Sequence, residues 1–232
     1  MAEVPEVKIC GLTRRVDAEF AASLGADYLG VVLSAGFRRS VAEAAAGPLL
    51  AGLAPVKVAV LVDETPARAA ELARAAGAGV IQLHGSEPPE AVAELAAERT
   101  WRVWKSVRAR EPDDVRRAVD RYGAWVDAIL VEGRLEGVLG GGGARLSRSA
   151  FGSLRELVPP PLRVVLAGGL TPDTVADAVD HFAPDVVDVS SGVEVEPGRK
   201  SPDLVARFIR EARRAGGPGR GTGNPPGSGA SA

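Results

Sequence analysis

The chain has almost no cysteine: Cys10 is the one thiol in 232 residues. A lone cysteine excludes an internal disulfide and any Cys-based structural zinc site. Aromatic residues make up 4% of the chain, and histidine occurs twice. Lysine is scarce as well. Of 28 basic residues only Lys8, Lys57, Lys105 and Lys200 are lysine, which, with abundant Ala, Gly and Pro, points to GC-rich coding rather than to a function. No apolar run is long enough to span a bilayer. The first residues, Met-Ala-Glu-Val-Pro-Glu, lack the basic and apolar regions of a secretory signal. A net charge of -2 shows no electrostatic footprint for nucleic acid or an anionic membrane. These absences predict a cytoplasmic protein whose partner is a small molecule, not a nucleic acid or a membrane. Monomer and homodimer both fit.

What the sequence does have is alternation. Apolar runs at Val7–Cys10, Tyr28–Leu33, Val56–Val62, Val80–His84, Arg102–Ser106, Trp125–Val131, Arg163–Ala167 and Val186–Ser190 read as strands. Helix-patterned stretches rich in Ala, Leu, Arg and Glu lie between them. Pro66, Pro88, Pro112, Pro172 and Pro202 stand at or near helix starts, where a missing N–H costs little. Gly25 and Gly77 read as C-terminal caps. Eight strand–helix units predict a single (β/α)8 TIM barrel over residues 1–215. A doubly wound open sheet is the alternative, but no GxGxxG follows the first strand. Residues 216–232, GGPGRGTGNPPGSGASA, cannot bury a core and read as a disordered tail.

In such a barrel the chemistry sits at the carboxyl ends of the strands, and the loops after strands seven and eight form the usual phosphate site. Here those loops are Ala167-Gly168-Gly169-Leu170 and Ser190-Ser191-Gly192, whose small side chains let an anion approach the backbone N–H groups. Other strand-end candidates are Cys10, Arg38, Arg39, Asp63, Gln82, His84, Lys105 and Glu132. Strand parity sends Lys8 and Cys10 to one face, and Asp188 and Ser190 to one face. Strands one and eight are neighbours in a closed barrel, so Lys8 and Asp188 are expected to form a buried pair, since an isolated buried charge is too costly. Taken alone, Cys10 reads as a small buried hydrophobe or as a base. Glu132 reads as a rim residue or a proton donor, His84 as a hydrogen-bonded structural histidine or a catalyst, and Asp127 as facing outward.

Taken together, these residues resemble the phosphoribosylanthranilate isomerase family. The resemblance runs from Val7 to about Ala212. It rests on Lys8-Ile9-Cys10-Gly11-Leu12-Thr13, Gln82-Leu83-His84-Gly85, Leu166-Ala167-Gly168-Gly169-Leu170 and Asp188-Val189-Ser190-Ser191-Gly192-Val193-Glu194 followed by Pro197-Gly198. The resemblance implies an Amadori rearrangement of N-(5'-phosphoribosyl)anthranilate in tryptophan biosynthesis, without metal or organic cofactor. It implies Cys10 as the base, a role that suits a thiolate if nearby donors lower its pKa toward neutrality. It also implies Glu132 as the acid, with a raised pKa, and Asp188 as an orienting residue. Substrate contacts would come from Arg39 on the carboxylate, from His84, and from Gly168, Gly169, Ser191 and Gly192 around the phosphate. The chain departs from the family in three places. Glu132 stands where the family usually has Asp. The common Ser-Pro-Arg before Val41 is replaced by Phe37-Arg38-Arg39. The loop with Gly140–Gly143 keeps its glycines but lacks the family's aromatics, and reads as a mobile lid. A different sugar-phosphate isomerase or epimerase, and a non-catalytic sugar-phosphate binder, are the competing readings.

Deleting residues 216–232 is expected to change neither melting temperature nor turnover, as checked by thermal unfolding and steady-state kinetics.

Overall fold

In the computed structural model, which describes residues 4–135, 145–146 and 151–215, the eight apolar runs close into one ring. The barrel strands are β1 (Glu6–Ile9), β2 (Tyr28–Val32), β3 (Val56–Leu61), β4 (Val80–Leu83), β5 (Arg102–Arg108), β6 (Ala128–Glu132), β7 (Arg163–Ala167) and β8 (Val186–Val189). All pair in parallel with their neighbours in chain order, and β8 returns to β1 through Lys8 opposite Asp188. Closure excludes the doubly wound alternative. The Gly140–Gly143 loop segment and the 216–232 tail lie outside the described residues.

Parity along the strands sorts the core into two shells. Tyr28, Val58, Val60, Val80, Trp104, Ala128, Leu130, Val165 and Val186 fill the barrel interior. Their sequence neighbours, such as Ile9, Leu29, Val31, Ile81, Ile129 and Val187, pack outward against the helices. Tyr28 and Trp104 meet edge to face at 5.0 Å, in the geometry aromatic pairs prefer. The outer layer comprises α1 (Arg15–Ser23), α2 (Glu43–Leu50), α3 (Pro66–Ala75), α4 (Pro89–Ala97), α5 (Pro112–Tyr122), α6 (Leu154–Leu157), α7 (Val175–Phe182) and α8 (Pro202–Ala215). Pro66, Pro112 and Pro202 open their helices as predicted, while Pro88 is the residue before α4 and Pro172 sits in the turn ahead of α7. Helix α8 buries Val205, Phe208, Ile209, Ala212 and Ala215, one stripe at helical spacing. Gly25 and Gly77 follow α1 and α3 with positive φ, as the cap reading requires.

Strand boundaries differ from the sequence reading by one or two residues at most carboxyl ends. Cys10, Leu33 and His84 still donate their N–H to the neighbouring strand, at 2.8, 3.0 and 2.8 Å, but lie just past the regular ladder. Strand β6 starts at Ala128 rather than Trp125, because Asp127 ends the preceding turn. Asp127 is exposed, as its parity predicted.

The aspartates preceding three of the strands share one arrangement at the amino end of the barrel. The Asp27, Asp127 and Asp185 carboxylates accept from Val7, Val103 and Val164 N–H on the preceding strand, at 2.8, 2.7 and 2.6 Å. Their backbone carbonyls accept from Val56, Arg163 and Glu6 on the following strand, at 2.9, 3.0 and 2.9 Å. Each aspartate therefore fixes the register of three adjacent strands. Before β4 the corresponding position is Gly79, which keeps the backbone bonds alone. Asp127→Ala leaves the Val103 N–H without its acceptor and is expected to lower stability by about 1 kcal/mol. Urea unfolding of the variant checks this.

Candidate active site

The carboxyl ends of the strands surround a cavity of about 450 Å³. Cys10, immediately after β1, forms part of one wall and is only 8% exposed. Two residues earlier on the same face, Lys8 is fully buried, with Nζ 3.0 Å from Asp188 Oδ2. The predicted buried pair is present. It is an ionic contact rather than an aligned hydrogen bond, and Asp188 Oδ1 has no hydrogen-bond partner among the described residues. Room for this group comes from Gly30 on β2. A Cβ there would lie 3.0 Å from Cys10 Sγ and 3.1 Å from Lys8 Cε, so the glycine inside a strand marks a close approach.

Burial pulls the Lys8 pKa down, but Asp188 and Cys10 more than offset it, leaving Lys8 above its ordinary value. For Cys10 burial is the largest influence and raises the thiol pKa. Lys8 and Lys200 pull it back only in part, and Asp188 adds to the rise. The condition of a thiol drawn toward neutrality is not met by this cluster of side chains. Desolvation outweighs the cations, and Cys10 rests as a thiol.

The opposite wall carries Glu132, the last residue of β6. Its Oε2 lies 3.5 Å from His84 Nε2 and 3.1 Å from Arg108 Nε. With the amide orientation assigned to Gln82, its Nε2 donates to His84 Nδ1 at 3.1 Å, which leaves the ring proton on Nε2, directed at Glu132. His84 and Arg108 together hold Glu132 well below the ordinary carboxylate value of 4.5, at about 2, the His84 hydrogen bond being the largest cause. The raised pKa expected for this carboxyl is also corrected: two cationic or hydrogen-donating neighbours outweigh its burial.

Arg39 reaches the cavity from the loop after β2, but its fork is engaged. Nε and Nη2 donate to both oxygens of Glu194 at 2.8 and 2.6 Å. Glu194 opens a two-stranded ribbon, Glu194–Glu196 with Arg199–Lys200, that follows β8. Its Oε1 also accepts from Lys200 Nζ at 2.8 Å. Arg39 and Lys200 keep Glu194 below its ordinary pKa despite its burial, and burial draws Lys200 down. On the remaining side, Gly168 and Gly169 after β7 meet Ser191 and Gly192 after β8. A Cβ on Gly192 would run into the Leu170 carbonyl, so only glycine lets the two loops touch. No hydrogen bond among the described residues takes the N–H of Gly168, Gly169, Ser191 or Gly192. Four backbone donors are thus left for an anion.

All nine site residues named from the sequence, Cys10, Arg39, His84, Glu132, Gly168, Gly169, Asp188, Ser191 and Gly192, line this one cavity. Lys105 does not. It turns outward between barrel and helices, where Nζ meets Glu87 Oε2 at 3.0 Å, and Asp63 lies in the same outer cleft. Arg108, Glu194 and Lys200 escaped the sequence reading. For Lys200 a signal existed in the rarity of lysine. For Arg108 it lay in its position two residues beyond the expected end of β5.

The family described as N-(5'phosphoribosyl)anthranilate (PRA) isomerase matches residues 7–211. The N-(5'-phosphoribosyl)anthranilate isomerase of Thiobacillus denitrificans is 40% identical over 212 residues, covering 89% of this chain and 97% of its own length. The phosphoribosyl anthranilate isomerase of Thermotoga maritima superposes with a TM-score of 0.78 at 33% identity, covering 90% of this chain and 99% of its own. A phosphoribosyl anthranilate isomerase solved with reduced 1-(o-carboxyphenylamino)-1-deoxyribulose 5-phosphate superposes at 0.75 with 32% identity, over 90% and 99% of the two chains.

Because folding depresses the Glu132 pKa, its contribution to stability is complete above about 4.5 and is lost as pH falls toward about 2. Urea unfolding across that window is expected to show a steeper acid loss in the native sequence than in Glu132→Gln. Equal slopes would contradict the ionised Glu132.

Proposed function

The chain belongs to the N-(5'-phosphoribosyl)anthranilate isomerase family and is an isomerase of tryptophan biosynthesis, and from that premise we propose the following roles for its residues. The phosphate of N-(5'-phosphoribosyl)anthranilate sits on the N–H groups of Gly168, Gly169, Ser191 and Gly192. The anthranilate carboxylate binds Arg39 on the edge that Glu194 leaves open, with the guanidinium already oriented by that carboxylate. Glu132 protonates the ring oxygen as the C1'–O bond breaks, and Cys10 then removes the C2' proton. Asp188 orients Lys8 beneath the cavity.

Glu132 is ionised at neutral pH, so the acid step needs a proton delivered to it. His84, whose Nδ1 accepts from Gln82, holds the carboxylate through Nε2 at 3.5 Å and positions it, while the proton itself comes from solvent at the cavity mouth. Cys10 likewise starts as a thiol and accepts a proton only after ionising. What carries this reading is the placement of one thiol and one carboxyl on opposite walls of a single cavity, with unused N–H donors beside them. The longer Glu132 side chain, in place of the usual Asp, fits an acid that reaches toward the centre from the last residue of β6. We also infer a cytoplasmic enzyme, monomer or homodimer, with a small-molecule substrate and no nucleic-acid or membrane partner. Among the described residues no helix is long and apolar enough to cross a membrane.

Purified protein without added metal or cofactor is expected to consume N-(5'-phosphoribosyl)anthranilate. Cys10→Ala should lower kcat at least about a hundredfold while keeping affinity for the reduced product analogue. Unchanged kcat would remove Cys10 from the base role. Arg39→Ala should raise KM for the carboxylate-bearing substrate without weakening binding of ribose 5-phosphate.

A further inference from the structure

The ribbon after β8 does more than hold Arg39 through Glu194: it also carries a buried lysine into the cluster on the Cys10 side of the cavity. Lys200 is 4% exposed. Its Nζ donates to the Ser190 carbonyl at 3.1 Å and to Glu194 Oε1 at 2.8 Å. The residue before that carbonyl, Val189, accepts the Cys10 N–H at 2.8 Å, so Lys200 and Cys10 bond to consecutive peptide carbonyls at the end of β8. Lys200 and Arg39 both interact electrostatically with Cys10.

The charges on this side of the cavity do not cancel. Lys8 from β1, Arg39 from the β2 loop and Lys200 from the ribbon face Asp188 from β8 and Glu194 from the ribbon, three cations against two carboxylates. Arg38, exposed on the same β2 loop, lines the cavity too and adds to its positive side, while the other charged groups nearby are balanced. Asp17 of α1 accepts the Lys200 backbone N–H at 3.1 Å and lies 3.9 Å from Arg14. Across the mouth Glu132 is matched by Arg108, with His84 beside it. Among the described residues the cluster keeps one uncompensated positive charge, which a Cys10 thiolate would neutralise.

We propose that Lys200, anchored by Glu194, is a positioning residue that with Lys8 supplies the unbalanced positive charge allowing the buried Cys10 thiol to ionise. This rests on Cys10 being the base. Burial of the sulfur opposes ionisation, and an ammonium fixed in the same cluster by Ser190 and Glu194 limits that opposition. Glu194 acts with the opposite sign, since its carboxylate tempers the same charge while holding Arg39 and Lys200 in place.

The single cysteine makes the test direct. Iodoacetamide alkylation of the full chain, followed across pH by mass spectrometry, titrates Cys10 alone. Lys200→Met is expected to move the alkylation midpoint up by about one pH unit, and Lys200→Arg to restore most of the native value. Glu194→Gln is expected to move it down by a similar amount. A merely structural ribbon would shift both variants in the same direction or neither, and either result overturns the proposal. Should Lys200→Met fail to fold, Glu194→Gln decides by its sign, an upward or absent shift being the negative result. Turnover that survives in Cys10→Ala would defeat the base assignment itself. An inactive Cys10→Ala with no opposed alkylation shifts would defeat this inference alone.

Discussion

The ion pair between Lys8 and Asp188 joins the first barrel strand to the last. The two residues are directly opposed across the β1–β8 seam, both are buried, and Nζ and Oδ2 are 3.0 Å apart. A buried ammonium without its carboxylate, or the reverse, costs several kcal/mol, about 3–5 when one partner of such a pair is removed. Register at the seam is therefore strongly specified: a one-residue slip would turn one partner toward the apolar outer shell. Because Cys10 lies two residues beyond Lys8, the same constraint aims the thiol into the cavity.

The two walls of the cavity are built on different electrostatic principles. Around the thiol, cations outnumber carboxylates and water is largely excluded, so the sulfur is a buried neutral group beside stored positive charge. Around Glu132 the carboxylate is ionised and matched by an exposed arginine and an imidazole. Neither group holds, in isolation, the pKa that acid–base work at neutral pH calls for. The chemistry has to come from exchange of partners as an anionic substrate enters among Arg39, Arg108 and the loop N–H groups. The loops after β7 and β8 offer no charged side chain, only backbone N–H dipoles, and an anion held there would add nothing to the charge imbalance on the Cys10 side.

Lysine usage carries the same lesson. Lys8, Lys105 and Lys200 are buried, at 0%, 2% and 4% exposure, in a chain whose surface cations are almost all arginine. Coding bias toward arginine can act freely in water. It stops where a compact ammonium must fit among fixed acceptors, as Lys105 does among Glu87, Gly85 and Ser106. Its scarcity in the sequence was read only as bias, although the rare lysines mark the sites where the structure demands a point charge.

Strand count, parity, the meeting of the small-residue loops after β7 and β8 at one cavity, and the Lys8–Asp188 pair were all legible in the sequence. Each follows from a local rule: a period of two in a strand, glycine where a backbone must come close, and neutralisation of a buried charge. The pKa of Cys10 and of Glu132, the engagement of Arg39 by Glu194, and the anchoring of Lys200 on Ser190 and Glu194 were not legible. They depend on which groups from different strands and loops become neighbours, 24 positions apart for Arg108 and Glu132 and 155 for Arg39 and Glu194. Interactions between charges fall off with distance and grow with burial, and distance and burial exist only once the barrel has closed.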